Sequence, residues 1–119
     1  MTMAVVWLSL FVILLIFLFP MAARAAELPS LKVLSTPSCP ACAQMSRVVD
    51  EIDSQYGGKL ATEKVNLYEH RDIAKQYNVR YVPHLLFVDG TGNVVKEKIG
   101  YVPLDEVLKT FREAGIDVE

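Results

Sequence analysis

Hydrophobic and polar positions divide the chain into two regimes. From Ala4 to Phe19 the residues are apolar almost without a break, Ser9 being the one polar residue, and Pro20 closes the run before Met21 to Ala26. Beyond about residue 30 the pattern turns periodic, and the period changes from segment to segment. Leu31, Val33 and Leu34 form a short apolar run that suits a buried strand. Met45, Val48, Val49, Ile52 and Tyr56 then recur at helical spacing, with Arg47, Asp50, Glu51 and Gln55 between them. That spacing predicts one amphipathic helix, ended by Gly57-Gly58 in the manner of C-terminal glycines. Leu60 to Leu67 reads as a second strand with Val65 and Leu67 inside, and Arg71 to Tyr77 as a short helix whose buried side is Ile73, Ala74 and Tyr77.

Asn78 to Val82 returns the chain to the sheet. Leu85 to Val88 is apolar on both faces, which predicts a central strand. Asp89-Gly90-Thr91-Gly92-Asn93 is a hairpin turn into Val94 to Ile99, where Lys96 and Lys98 alternate with Val95, Glu97 and Ile99 as in a charged edge strand. A last helix runs from about Pro103 to Ala114, with Leu104, Val107, Leu108 and Phe111 as its buried stripe and Gly115 as its stop. The order strand, helix, strand, helix, strand, strand, helix predicts an α/β domain. Its β-α-β-α-β-β-α chain folds as a mixed four-stranded sheet between helical layers.

Composition narrows the picture. With 119 residues, 52% of them hydrophobic, the chain supports one globular domain over residues 27–119 plus the N-terminal segment, residues 1–26. A net charge of -2 without a basic cluster gives no footprint for nucleic acid. The N-terminal segment reads as a signal peptide or a membrane anchor; the alternative, a buried core helix, is opposed by the lack of any polar face. Ala23-Arg24-Ala25 offers small residues at the spacing of a cleavage site, with cleavage after about Ala25, whereas Arg24 and Lys32 lie after the segment and Met1-Thr2-Met3 lacks basic charge. The balance favours export, with the domain outside the cytoplasm, released or tethered.

The candidate chemistry lies in Ser35 to Ala43, which holds both cysteines of the chain at the junction of the first strand and the first helix of the domain. With Cys39 at the N-cap, Pro40 falls at the first helical position, where its missing N–H and fixed φ cost nothing. The Cys39 sulfur then sits at the positive end of the helix, beside unpaired N–H groups that favour thiolate over thiol. This arrangement suits Cys39 as a nucleophile and Cys42, one turn further in, as the resolving thiol. Two other readings of the pair stand beside it. A structural disulfide would close so short a loop that it constrains the unfolded chain little. A zinc site lacks its second half, because His70 and His84 do not have finger spacing, while two thiolates suffice to hold Cu(I). No resident metal or other cofactor is expected beyond the Cys39–Cys42 pair.

The element order, with Cys-Pro-Ala-Cys at the first junction and Val82-Pro83 opening the third strand, resembles the thioredoxin superfamily from about Leu31 onward. Asp50-Glu51-Ile52, Gly58-Lys59-Leu60, Lys64-Val65-Asn66, Gln76-Tyr77-Asn78-Val79-Arg80 and Lys98-Ile99-Gly100 carry the likeness further. The resemblance implies a thioredoxin-like fold, a cis bond before Pro83 beside the cysteines, and strand-type hydrogen bonding of a client segment by the Val82 backbone. It also marks departures. Ser38 stands where the family has a tryptophan before the first cysteine, and Val33 where it has a buried carboxylate. Lys64 matches the lysine that accompanies that carboxylate, which leaves it as a tuned base, a solvated end, or a strand residue pointing outward. Pro40-Ala41 is nearer the glutaredoxin pattern, without an evident glutathione site. His84 is a candidate for tuning Cys39, against a surface histidine without a role.

These observations lead to a thiol-disulfide oxidoreductase that exchanges the Cys39–Cys42 pair with client proteins, more as reductase than oxidase, and draws on an unidentified electron donor. A Cu(I)-handling module and a redox-inactive interaction domain of the same fold are its rivals.

Overall fold

A computed structural model describes residues 2–17 and 27–118. Its elements are α1 (Thr2–Phe17), β1 (Ser30–Ser35), α2 (Pro40–Tyr56), β2 (Ala61–Asn66), α3 (Arg71–Gln76), β3 (His84–Val88), β4 (Val94–Ile99) and α4 (Leu104–Glu113). The strands form one sheet in the order β2-β1-β3-β4. β1 runs parallel to β2 and antiparallel to β3, and β3 is antiparallel to β4. The mixed four-stranded sheet and its element order are those expected from the periodicity.

Strand alternation sorts the apolar residues onto two unequal faces. Leu31 and Val33 of β1 with Leu85 and Phe87 of β3 face α2 and α4, where fourteen buried residues form one core. At its centre Phe87 and Phe111 meet edge to face, ring centroids 5.1 Å apart. On the other face Leu34, Val65, Leu67, Leu86 and Val88 make a core of five, with Ile73, Ala74, Tyr77, Val79 and Val82 packed partly against it. The three residues assigned to the buried side of α3 are therefore only half-buried. A helix of six residues is too short to bury a full stripe.

Each long helix has local reasons for its ends. α2 starts on Cys39 and Pro40 and buries Cys42, Met45, Val48, Val49 and Ile52. It ends at Tyr56, just before Gly57-Gly58 as expected, but not on a left-handed glycine. Gly57 keeps right-handed helical angles, φ -56° and ψ -24°, so the chain leaves α2 without a left-handed glycine; Lys59 and Leu60 donate instead to the Tyr56 carbonyl, both at 2.8 Å. α4 has Asp105 and Glu106 in its first turn and Arg112 in its last, charges that suit the helix dipole. It ends at Gly115, φ +81°, with Gly115 N–H donating to Arg112 O and Ile116 N–H to Phe111 O, the paired bonds of a Schellman motif.

In the hairpin, Asp89 accepts from the backbone N–H groups of Thr91 and Asn93 at 2.9 and 3.0 Å and from the Thr91 hydroxyl at 2.7 Å. These bonds, the Thr91 hydroxyl first among them, hold its carboxyl below its ordinary pKa. α1 is apolar on every side, and its described side chains are all exposed. Among the described residues no helix is long and apolar enough to cross a membrane. The expected cleavage position near Ala25 lies outside the described residues.

Candidate active site

Parallel pairing of β1 with β2, and antiparallel pairing of β3 with its neighbours, bring four chain connections to one end of the sheet. The loop after β1 carries the cysteines there. Cys39 is the N-cap of α2 in an extended conformation, φ -123° and ψ 109°, and its sulfur accepts the Cys42 N–H at 3.1 Å. Pro40 fills the first helical turn without spending a donor. Cys39 and Cys42 are joined as a disulfide, with Cα atoms 5.1 Å apart. Cys39 is half-buried, whereas Cys42 is only 7% exposed. One sulfur thus faces the surface and the other lies in the protein.

Val82 and Pro83 arrive from the opposite side. The Val82–Pro83 bond is cis, Pro83 is buried, and the Cys39 sulfur lies 3.9 Å from the Val82 carbonyl oxygen. Gly100 N–H donates to Pro83 O at 2.8 Å and ties the end of β4 to the same place. Cys39, Cys42, Pro40, Val82 and Pro83 are therefore neighbours. Ser38 is exposed beside them, and Val33, 2% exposed, sits in the larger core below.

Two other candidates land elsewhere in character. Lys64 Nζ is 2.9 Å from Asp50 Oδ1 on α2, both side chains largely in solvent. Of the three readings of this lysine, the outward one describes its position. Val33 offers it nothing to pair with, and Asp50 stands on the helix that covers the same face. His84 is not a surface histidine. It is 6% exposed in β3, its Nε2 3.2 Å from Glu97 Oε1, while Nδ1 has no hydrogen-bond partner among the described residues. Pairing with Leu34 on one side and Ile99 on the other encloses it.

Three side chains at this end belong to no motif in the sequence. Tyr68, Tyr81 and Tyr101 are 65%, 68% and 48% exposed, in the connections after β2, before β3 and after β4. Their only signal in the sequence was their position beside predicted strand ends. Among the described residues no three His, Cys, Asp or Glu side chains converge as a metal site.

Residues 21–115 match the family described as thioredoxin-like domain. Over 88 residues the chain is 36% identical to a thioredoxin of Synechocystis sp., covering 74% of this chain and 81% of that one. Over 66 residues it is 39% identical to Thioredoxin 1 of Nostoc sp., 56% of this chain and 61% of the relative's length. Solved structures agree in fold. Thioredoxin-2 of the malaria parasite superposes with a TM-score of 0.68 at 17% identity, covering 73% of this chain and 84% of that one. Chloroplastic thioredoxin z gives 0.66 at 11%, covering 75% and 80%.

Proposed function

The chain belongs to the thioredoxin-like family, and from that premise we propose that it is a thiol-disulfide oxidoreductase working on client proteins through Cys39 and Cys42. The observation that carries this reading is the Cys39 sulfur at the N-cap of α2, accepting the Cys42 N–H and half-exposed beside the Val82 carbonyl. In the reduced protein the same N–H and the positive end of the helix stabilise a thiolate at Cys39. That thiolate attacks one sulfur of a client disulfide. An S–S bond forms between Cys39 and the client as the client's own S–S bond breaks, and the freed client sulfur takes up a proton. Cys42, having given its proton to solvent, then attacks the Cys39 sulfur and closes the intramolecular disulfide. The second client sulfur leaves and is protonated. Two electrons have passed from the protein to the client.

Val82 presents backbone groups to an extended client segment beside the cysteines, so recognition there is largely independent of sequence. With Val33 in place of a buried acid, proton removal from Cys42 falls to water. The net direction is reduction, sustained by an external dithiol donor. The apolar N-terminal segment delivers the domain out of the cytoplasm, as a signal peptide or as a tether.

Insulin-disulfide reduction tests the reading, with the potential measured by equilibration against a dithiol buffer. The expected outcome is catalysed reduction, abolished in Cys39→Ser, a mixed disulfide that accumulates in Cys42→Ser, and a potential near about -270 mV. A Cys39 that is alkylated no faster than a free cysteine would overturn the proposal, and Cu(I) bound stoichiometrically without disulfide reduction would replace it. Sequencing the mature N-terminus of the exported protein tests the segment's role.

A further inference from the structure

β3 is apolar at every position but its first. Leu85, Leu86, Phe87 and Val88 follow His84, which lies between Leu34 of β1 and Ile99 of β4 and is only 6% exposed. An apolar side chain would fill that place with no polar atom to satisfy. The imidazole is instead half satisfied: Nε2 lies 3.2 Å from Glu97 Oε1, while Nδ1 has no hydrogen-bond partner among the described residues, and an unpaired buried polar atom is destabilising. What the imidazole supplies in return is a tie between strands. Leu86 is opposite Glu97 in the register, so the bond from His84 runs diagonally, from the first residue of β3 to a residue inside β4. A carboxylate only accepts, which puts the hydrogen on Nε2. Lys96 and Lys98 alternate to the other face, where Lys98 Nζ reaches Glu106 Oε1 at 3.3 Å, and leave Glu97 to His84.

That tie falls where the ladder is weakest. Gly100 N–H donates to Pro83 O at 2.8 Å, and opposite residues in a hydrogen-bonded antiparallel pair exchange two bonds. Pro83 has no N–H to return, so the backbone holds it to Gly100 by one bond. One residue earlier stands Val82, its carbonyl oxygen 3.9 Å from the Cys39 sulfur. We propose that His84 and Glu97 are positioning residues: their hydrogen bond stands in for the one Pro83 cannot make and fixes the Val82 backbone beside Cys39 for an extended client segment. This rests on the exchange reading above and adds to it the pair that holds the docking segment to the sheet. A disulfide carried on a client backbone depends on that pair, whereas a small disulfide without a backbone needs Cys39 alone.

The test uses the full chain, reduced, with insulin and with hydroxyethyl disulfide as substrates. Loss of the bond corresponds to a roughly three- to tenfold rise in KM for insulin at unchanged kcat, in Glu97→Ala and in His84→Leu alike, while the rate with hydroxyethyl disulfide stays at the parent's. Glu97→Gln, whose amide oxygen still accepts from Nε2, keeps the parent's KM. His84→Leu separates position from stability, since an apolar side chain removes the unpaired nitrogen and its denaturant midpoint is expected at or above the parent's. Both rates come from one preparation, so any loss of folded protein cancels from their ratio. An unchanged insulin KM in the Ala and Leu variants, an equal loss with both substrates, or a Gln variant as impaired as the Ala variant overturns the brace while exchange itself stands. A parent chain that reduces neither substrate overturns the exchange reading and the brace with it.

Discussion

The two faces of the sheet differ in depth, and the candidate site is built across both. The cysteines start α2, whose buried stripe belongs to the core of fourteen residues. Val82, on the other side of the disulfide, packs partly against the core of five, together with Tyr77 and Val79. The cysteine sulfurs are thus fixed to the deeper core and Val82, the proposed client-docking segment, to the shallower one. A site that must hold its own thiols in register while accepting varied clients gains from that division. Local opening follows the density of buried contacts, so α3 and residues 78–82 are expected to open at lower free energy than α2.

The strongest way to break the comparison is to damage the deep face where it underlies the cysteines. Val33→Asp puts a carboxyl at a position 2% exposed, with Lys64 already paired outside it. An uncompensated buried charge costs about 3–5 kcal/mol. Burial raises the pKa of such an acid, so the penalty is absent in acid and grows as pH rises past the unfolded value of about 4. Denaturant unfolding of the variant and parent at pH 4 and pH 8 measures this, and a deficit independent of pH would show that the aspartate reaches water. The equivalent probe of the shallow face is Glu97→Ala. It leaves His84 buried with no partner on either ring nitrogen, a loss of about 1–3 kcal/mol. Hydrogen exchange should show that loss in β3 and β4 before it reaches α2.

How much of this was legible beforehand depended on range. Cys39 at the N-cap, Pro40 in the first turn and the stripe through Ile52 are set by neighbours within a turn or two, and the sequence carries them openly. So does Leu85 to Val88, whose unbroken apolar run requires cover on both faces. What the pattern could not carry was lateral. The burial of His84 is decided by Leu34 and Ile99 across the sheet, and the partner of Lys64 lies fourteen residues earlier, on a helix. Gly57-Gly58 ends α2 where the pattern puts the end, yet how it ends was not in the pattern: Lys59 and Leu60 satisfy the carbonyl of Tyr56 without a left-handed residue. That Tyr68, Tyr81 and Tyr101 lie at one end of the sheet follows only from the strand order.

A smaller effect is expected at the hairpin, which belongs to neither core. Asp89 is stabilised as a carboxylate by Thr91 and Asn93, so its folded pKa is lowered and its contribution is present above the ordinary value of 3.8. That contribution fades as pH falls through the folded pKa. Asp89→Ala should therefore lower Tm at pH 7 and converge on the parent as the solution is acidified below about pH 4. Thermal melts at a series of pH values read it directly. A gap that persists in acid would place the stabilisation in the turn's shape and not in its charge.

The smallest effect is the one that sharpens the comparison most. Lys64 lies in register with Val33, on the deep face, yet its ammonium reaches outward to Asp50. An exposed pair of this kind is worth well under 1 kcal/mol, and screening removes most of that at about 1 M salt. Lys64→Met keeps the apolar stem and removes the charge. Its Tm should match the parent's closely in high salt, and the pH dependence of insulin reduction should be unmoved, because the ammonium is paired with Asp50 in solvent. A shifted profile would mean that Lys64 leaves Asp50 when the disulfide opens and serves the resolving thiol. The deep face would then supply a proton acceptor in addition to a fixed frame.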